Sequence, residues 1–131
     1  MIEKYHQAGG NAPLSFVEIL QAMNSEGGFI RAVLATSEGL PIASVPDNPD
    51  NELAGAMAAL LQKVSEDTQG QLGMAPMDEV TIRTEDRTYL VCRRIGTGDD
   101  SLSLCALVPA NHAYRRATNK AVKRIQGILE S

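Results

Sequence analysis

The stretch DEVTIRTEDRTYLVCRRIGTGDDSLSLCALVP, residues 78–109, decides the architecture. It reads as three strands joined by two tight turns. In 78–84, Val80 and Ile82 alternate with Thr81 and Arg83, the period of a half-buried strand. Glu85, Asp86 and Arg87 turn the chain, and 88–95 returns as a second strand. Gly96, Thr97, Gly98, Asp99 and Asp100 make the next turn. Residues 101–108 form a third strand, ended by Pro109. This last strand is apolar on both faces and belongs in the middle of a sheet; the alternating strand belongs nearer an edge.

Working outward, residues 29–36 repeat the two-sided apolar pattern, broken only by Arg31, and predict a second central strand. Ser37, Glu38 and Gly39 form a hairpin turn, with Gly39 free to take positive φ. Residues 40–45 come back as a strand whose Pro41 cannot donate to a ladder, which favours an edge. Ahead of this hairpin, Leu14, Phe16, Val17, Ile19, Leu20 and Met23 fall at helical spacing, and Asn24 with Gly27 and Gly28 stops the helix. A middle helix starts at Asn48 as N-cap with Pro49 in its first turn, and runs to about Gln71. A closing helix capped by Asn111 carries Ala113, Tyr114, Ala117, Ala121, Val122, Ile125, Ile128 and Leu129 on its apolar side. The order α-β-β-α-β-β-β-α predicts an α/β fold: a five-stranded, mainly antiparallel sheet with helices on both faces.

The chain has 131 residues, enough for one domain with a real core and too few for two. Residues 1–12 lack a period and read as a flexible lead-in to a domain over 13–131. With 44% apolar and 21% charged residues the composition is that of a folded globular chain. No apolar run approaches the roughly 20 residues of a membrane span, and the opening residues lack the apolar core of a signal peptide. The expected location is the cytoplasm, without membrane insertion. The net charge of −4 argues against nucleic-acid binding. Acidic residues crowd residues 1–80 and basic ones 81–131; Arg116, Lys120, Lys123 and Arg124 share a face of the closing helix, but no aromatic residue interleaves to stack a base.

Catalytic and metal chemistry find little support. His6 and His112 have no cysteine or carboxylate at ligand spacing, so neither metal nor cofactor is expected. The glycines of Gly96–Thr97–Gly98 lead into a strand rather than a helix, which is not a phosphate-binding context. Cys92 and Cys105, the only cysteines, can face each other across the last hairpin. They form no CxxC motif, and small buried thiols are the plainer reading. The chain is expected not to be an enzyme.

The middle helix is the most informative segment for function. Residues 53–61, LAGAMAALL, contain no polar side chain. Leu53, Met57, Leu60, Leu61 and Val64 share one face, which should rest on the sheet. The opposite face starts with Gly55, Ala58 and Ala59 and turns polar at Gln62 and Glu66. Small residues there let another helix approach closely, which predicts a contact across a two-fold axis; the alternative is that alanine is simply a good helix former. The alternating strand, with Val80 and Ile82, offers an edge that a second copy can extend.

These pieces resemble the roadblock family of dynein light chains and its bacterial and archaeal relatives. The residues that carry the resemblance are SEGLPIAS at 37–44, NELAGAMAALLQKV at 51–64, VTIRTEDRTYLVCRRIG at 80–96 and LSLCALVP at 102–109. Glu38 stands where the family's turn often has aspartate. The resemblance implies a profilin-like sandwich, a homodimer with a continuous intermolecular sheet, and a non-catalytic adaptor that binds a small Ras-like GTPase and modulates its GTP hydrolysis. It further implies that the GTPase is held around Asn51, Gly55, Ala58, Ala59 and Gln62. A small-molecule sensor or a scaffold subunit of a larger complex is the alternative.

Overall fold

The computed structural model describes residues 14–47, 52–96 and 100–130. Helix α1 spans Leu14–Gly27, strand β1 Arg31–Thr36, strand β2 Pro41–Val45 and helix α2 Glu52–Leu72. Strands β3, β4 and β5 span Glu79–Arg83, Tyr89–Ile95 and Leu102–Val108, and helix α3 spans Arg115–Glu130. The lead-in, the proposed cap at Asn48 and Pro49, Asn51, and turn residues 97–99 lie outside the described residues.

The five strands form one sheet in the order β2-β1-β5-β4-β3, every neighbour antiparallel. The two-sided apolar strands β1 and β5 hold interior places, and the alternating β3 lies at an edge, as their patterns require. Pro41 sits on β2, the opposite edge, where its missing N–H costs no ladder bond. The β1–β2 register slips by one residue between Leu34 and Ala35, which leaves Ile42 as the extra residue of a bulge on β2.

The turns and ends follow local chemistry. Gly39 takes φ +92° and its amide returns to the Thr36 carbonyl at 2.9 Å, closing the β1–β2 turn. Gly28 takes φ +69° beyond α1, and the Phe29 amide reaches the Asn24 carbonyl at 3.0 Å, a left-handed helix stop. The closing helix begins later than the sequence suggests. Asn111 has φ +64° and belongs to the preceding turn. The Tyr114 carbonyl accepts the first helical bond, from Thr118 N–H at 3.0 Å, so Tyr114 occupies the cap position.

Helices α1 and α3 pack side by side on one face of the sheet. Phe16, Ile19, Leu20 and Met23 of α1 and Ala117, Ala121, Val122 and Ile125 of α3 bury against Ala32, Leu34, Val91, Ile95, Leu102, Leu104, Ala106 and Val108. Among the described residues, α2 is the helix that covers the other face.

Candidate functional site

Because side chains alternate along a strand, α2 faces Val33 and Ala35 of β1, Cys105 of β5, Leu90 and Cys92 of β4, and Val80 and Ile82 of β3. Met57 and Leu61, one turn apart, are 2% and 3% exposed and set down on Cys92 and Cys105, with Val80 and Leu90 alongside. Ser65 is also buried, and Val64 is half-buried. Leu60 is a correction to the sequence reading: it is half-buried, on the flank of the contact rather than at its centre. The buried stripe runs through Met57, Leu61 and Ser65 with Leu61 at its middle, and Leu60, roughly 100° round the helix from Leu61, lies on the flank beside Val64.

The predicted interface residues divide as follows. Asn51 lies outside the described residues. Gly55, Ala58 and Gln62 fall within α2, and their side chains lie outside the described ones. Ala59 and Glu66 are exposed on the side of α2 turned away from the sheet. Val80 is half-buried, and Ile82 is 38% exposed although it lies on the apolar face. Three further residues are exposed on α2 or at its exit and were not singled out from the sequence: Ala56, one turn before Ala59, and Leu72 and Met74, 69% and 51% exposed. Leu72 and Met74 follow a polar run and read from sequence only as the end of a helix; an apolar pair after seven polar or small residues was the available signal.

The edge geometry of β3 is fixed by its ladder. The Arg94 amide donates to the Asp78 carbonyl at 2.9 Å, and Thr84 N–H to the Thr88 carbonyl at 2.9 Å. Even-numbered residues around β3 therefore direct their backbone groups at β4, and the N–H and C=O of Glu79, Thr81 and Arg83 point to the open edge.

On the reverse side, β3 is tied to the start of α3 by a polar group that the sequence did not reveal. Tyr114 donates its hydroxyl to Glu79 Oε2 at 3.0 Å, and Thr81 Oγ1 donates to the same oxygen at 2.8 Å. Arg93 donates from Nη1 to Asn119 Oδ1 at 2.7 Å and to Thr118 Oγ1 at 3.3 Å, and its Nε lies 3.8 Å from Glu79 Oε1. The Tyr89 and Tyr114 rings meet at 5.9 Å, and Arg115 stands over Tyr114 at 5.0 Å. These contacts hold the edge strand in place from behind.

Other candidate chemistry stays apart. Arg116, Lys120, Lys123 and Arg124 are exposed on α3, with Lys120 3.5 Å from Glu26 of α1. A groove between α1 and α3 with Ala22, Ala117 and Ala121 in its lining has a volume of about 10 Å³, room for no more than a water molecule. Among the described residues no three His, Cys, Asp or Glu side chains group as metal ligands, and no helix is long and apolar enough to cross a membrane.

The family model for the Roadblock/LC7 domain matches residues 16–96. The chain belongs to the Roadblock/LC7 family. The matched span runs from α1 through β4 and includes all of α2 and β3. Among solved structures, this roadblock chain is similar to Myxococcus xanthus MglB, with a TM-score of 0.78 and 15% identity over 89% of both chains. It is equally similar in shape to a Roadblock/LC7 domain from Streptomyces avermitilis, with a TM-score of 0.78 and 16% identity over 88% of this chain and 98% of that one. Acanthamoeba castellanii profilin IB also matches, with a TM-score of 0.57 and 10% identity over 86% of this chain and 98% of the other, so the fold is profilin-like. A search of curated proteins by sequence finds no match.

Proposed function

We propose that this roadblock chain is a non-catalytic homodimeric adaptor that presents its paired α2 helices and adjoining loops to a small Ras-like GTPase and modulates GTP hydrolysis. The observation that carries the reading is the coincidence of two open features on one side of the sheet. The face under α2 keeps Ile82 exposed and Val80 and Leu90 half-buried. The adjoining β3 edge directs the backbone groups of Thr81 outward.

A second copy satisfies both features at once. Antiparallel pairing of β3 with its symmetry mate, centred on Thr81, extends the sheet from five strands to ten. It sets the two α2 helices side by side with Ala56 and Ala59 at the approach, where small side chains allow close backbones. The GTPase then meets a composite surface built from both copies, in line with the family resemblance.

Two substitutions test the dimer without touching the monomer's ladders. Ala59→Arg places a long cation at the helix approach. Thr81→Pro removes an amide that points away from β4, so the β3–β4 bonds survive while edge pairing is blocked. Light scattering should give twice the chain mass for the parent and a single chain for each variant; a parent of single-chain mass at all concentrations overturns the dimer. Partner binding is tested with small GTPases from the same genome, by complex formation and hydrolysis rate. A dimer that neither binds nor alters any of them overturns the GTPase reading and leaves the dimer standing.

A further inference from the structure

Beneath α2, outside the role of the adaptor surface, lie two thiols in an arrangement with its own chemistry. Cys92 of β4 and Cys105 of β5 are direct cross-strand partners, both free, and 0% and 2% exposed. Their backbone setting follows from bonds to the outer neighbours. The Arg94 amide bonds to Asp78, so even residues of β4 turn their backbone groups toward β3 and away from β5. The Ile30 amide bonds to the Leu107 carbonyl, so odd residues of β5 turn theirs toward β1 and away from β4. Cys92 and Cys105 therefore form a non-hydrogen-bonded pair, the position where antiparallel Cα atoms approach to about 4.5 Å. That separation lies inside the range a disulfide spans, about 4.4–6.8 Å.

The geometry points to Cys92 and Cys105 as a dithiol modification site, closed to an intrachain disulfide by hydrogen peroxide. The two thiols are unequal. A hydrogen bond from the Cys105 thiol lowers the pKa of Cys92, and the same bond together with burial pushes Cys105 well above its ordinary range. Cys92 is thus the attacking thiolate and Cys105 the resolving thiol. The Cys92 thiolate forms an S–O bond as the peroxide O–O bond breaks, and the departing hydroxide takes up a proton to leave as water. Cys105 sulfur then attacks the Cys92 sulfenic acid; the S–S bond forms, the S–O bond breaks, and hydroxide leaves as water with the Cys105 proton. Two thiols and one peroxide become one disulfide and two waters.

Access runs through α2, because Met57 and Leu61 are the buried side chains seated on the pair among the described residues. Outward movement of this single helix exposes both sulfurs without breaking the sheet. The inference stands on the monomer and does not need the GTPase reading.

The test treats the folded, reduced protein with hydrogen peroxide, quenches it, and alkylates under denaturing conditions before intact-mass and peptide analysis. The expected result is loss of both alkylation sites with a mass lower by two hydrogens and a Cys92–Cys105 linked peptide. Cys105→Ser should instead accumulate a Cys92 sulfenic acid trapped by dimedone, and Met57→Ala should close the disulfide severalfold faster while circular dichroism stays native. Two free thiols after exposure of folded protein, or a linkage formed only in urea, overturns the proposal. Oxidation of Cys105 first, with dimedone trapped there in Cys92→Ser and not at Cys92 in Cys105→Ser, overturns the assigned order of attack.

Discussion

The two faces of the sheet are built from the same five strands and carry opposite consequences. On one, α1 and α3 together bury Leu20, Met23, Leu34, Ile95, Leu102, Leu104 and Ile125 almost completely. On the other, a single helix seals the centre through Met57, Leu61, Cys92 and Cys105 and leaves the β3 side with Ile82 in water. Both faces are apolar in sequence, so the difference is one of coverage. Among the described residues two helices cover one side and one covers the other, so the first side carries more of the fold's stability and the second is the one the proposed assembly would use.

Substitutions sharpen this contrast. The largest loss is expected on the doubly covered face: Ile125→Ala should lower stability by about 2–5 kcal/mol in urea unfolding, because fully enclosed methylenes leave a cavity that neighbours cannot fill. A loss under about 1 kcal/mol would erase the distinction between the faces. Met57→Ala on the singly covered face should cost about 2 kcal/mol, the low end of that range, since α2 can settle onto the sheet. Leu60→Ala, on the flank of the same helix, should cost less than Met57→Ala at a protein concentration where the chain is monomeric; the reverse order would put Leu60 back at the centre of the contact.

Smaller effects lie at the edge strand. Tyr114→Phe removes the hydroxyl that bonds Glu79 and should cost about 1 kcal/mol, with faster amide exchange confined to β3 and the start of α3. The smallest is in the β3–β4 turn. The Thr84 hydroxyl and then the Thr88 amide donate to the Asp86 carboxylate and hold its pKa below the usual value. A carboxylate depressed in the folded state contributes stability above its unfolded pKa and loses it as pH falls through the folded one. The small stability difference between parent and Asp86→Asn should therefore be constant near neutral pH and vanish on acidification. A difference that grows in acid would reverse the sign of the shift.

Much of this was legible in the chain. The two-sided apolar runs of β1 and β5, the alternation of Val80 and Ile82 and the position of Pro41 each gave a strand its place in the sheet, because burial on one or two faces writes directly into the residue pattern. The surface proposed as an interface was legible in part. Ala59 on the outer side of α2 and Ile82 at the edge follow from periodicity. The seat of Leu60 did not, because nine successive apolar residues in 53–61 leave the rotation of the helix about its axis undetermined.

By itself the sequence determined the order of elements, the central and edge strands, and a helix apolar on more than one side, since these depend on local period and turn chemistry. Tertiary structure alone decided that α1 and α3 share a face, that Glu79, Arg93 and Tyr114 meet behind the edge strand, and that Cys92 and Cys105 fall in a non-hydrogen-bonded pair. Those facts join residues far apart in the chain. Register and helix rotation bring them together, and each is set by packing summed over the whole sheet rather than by any one segment.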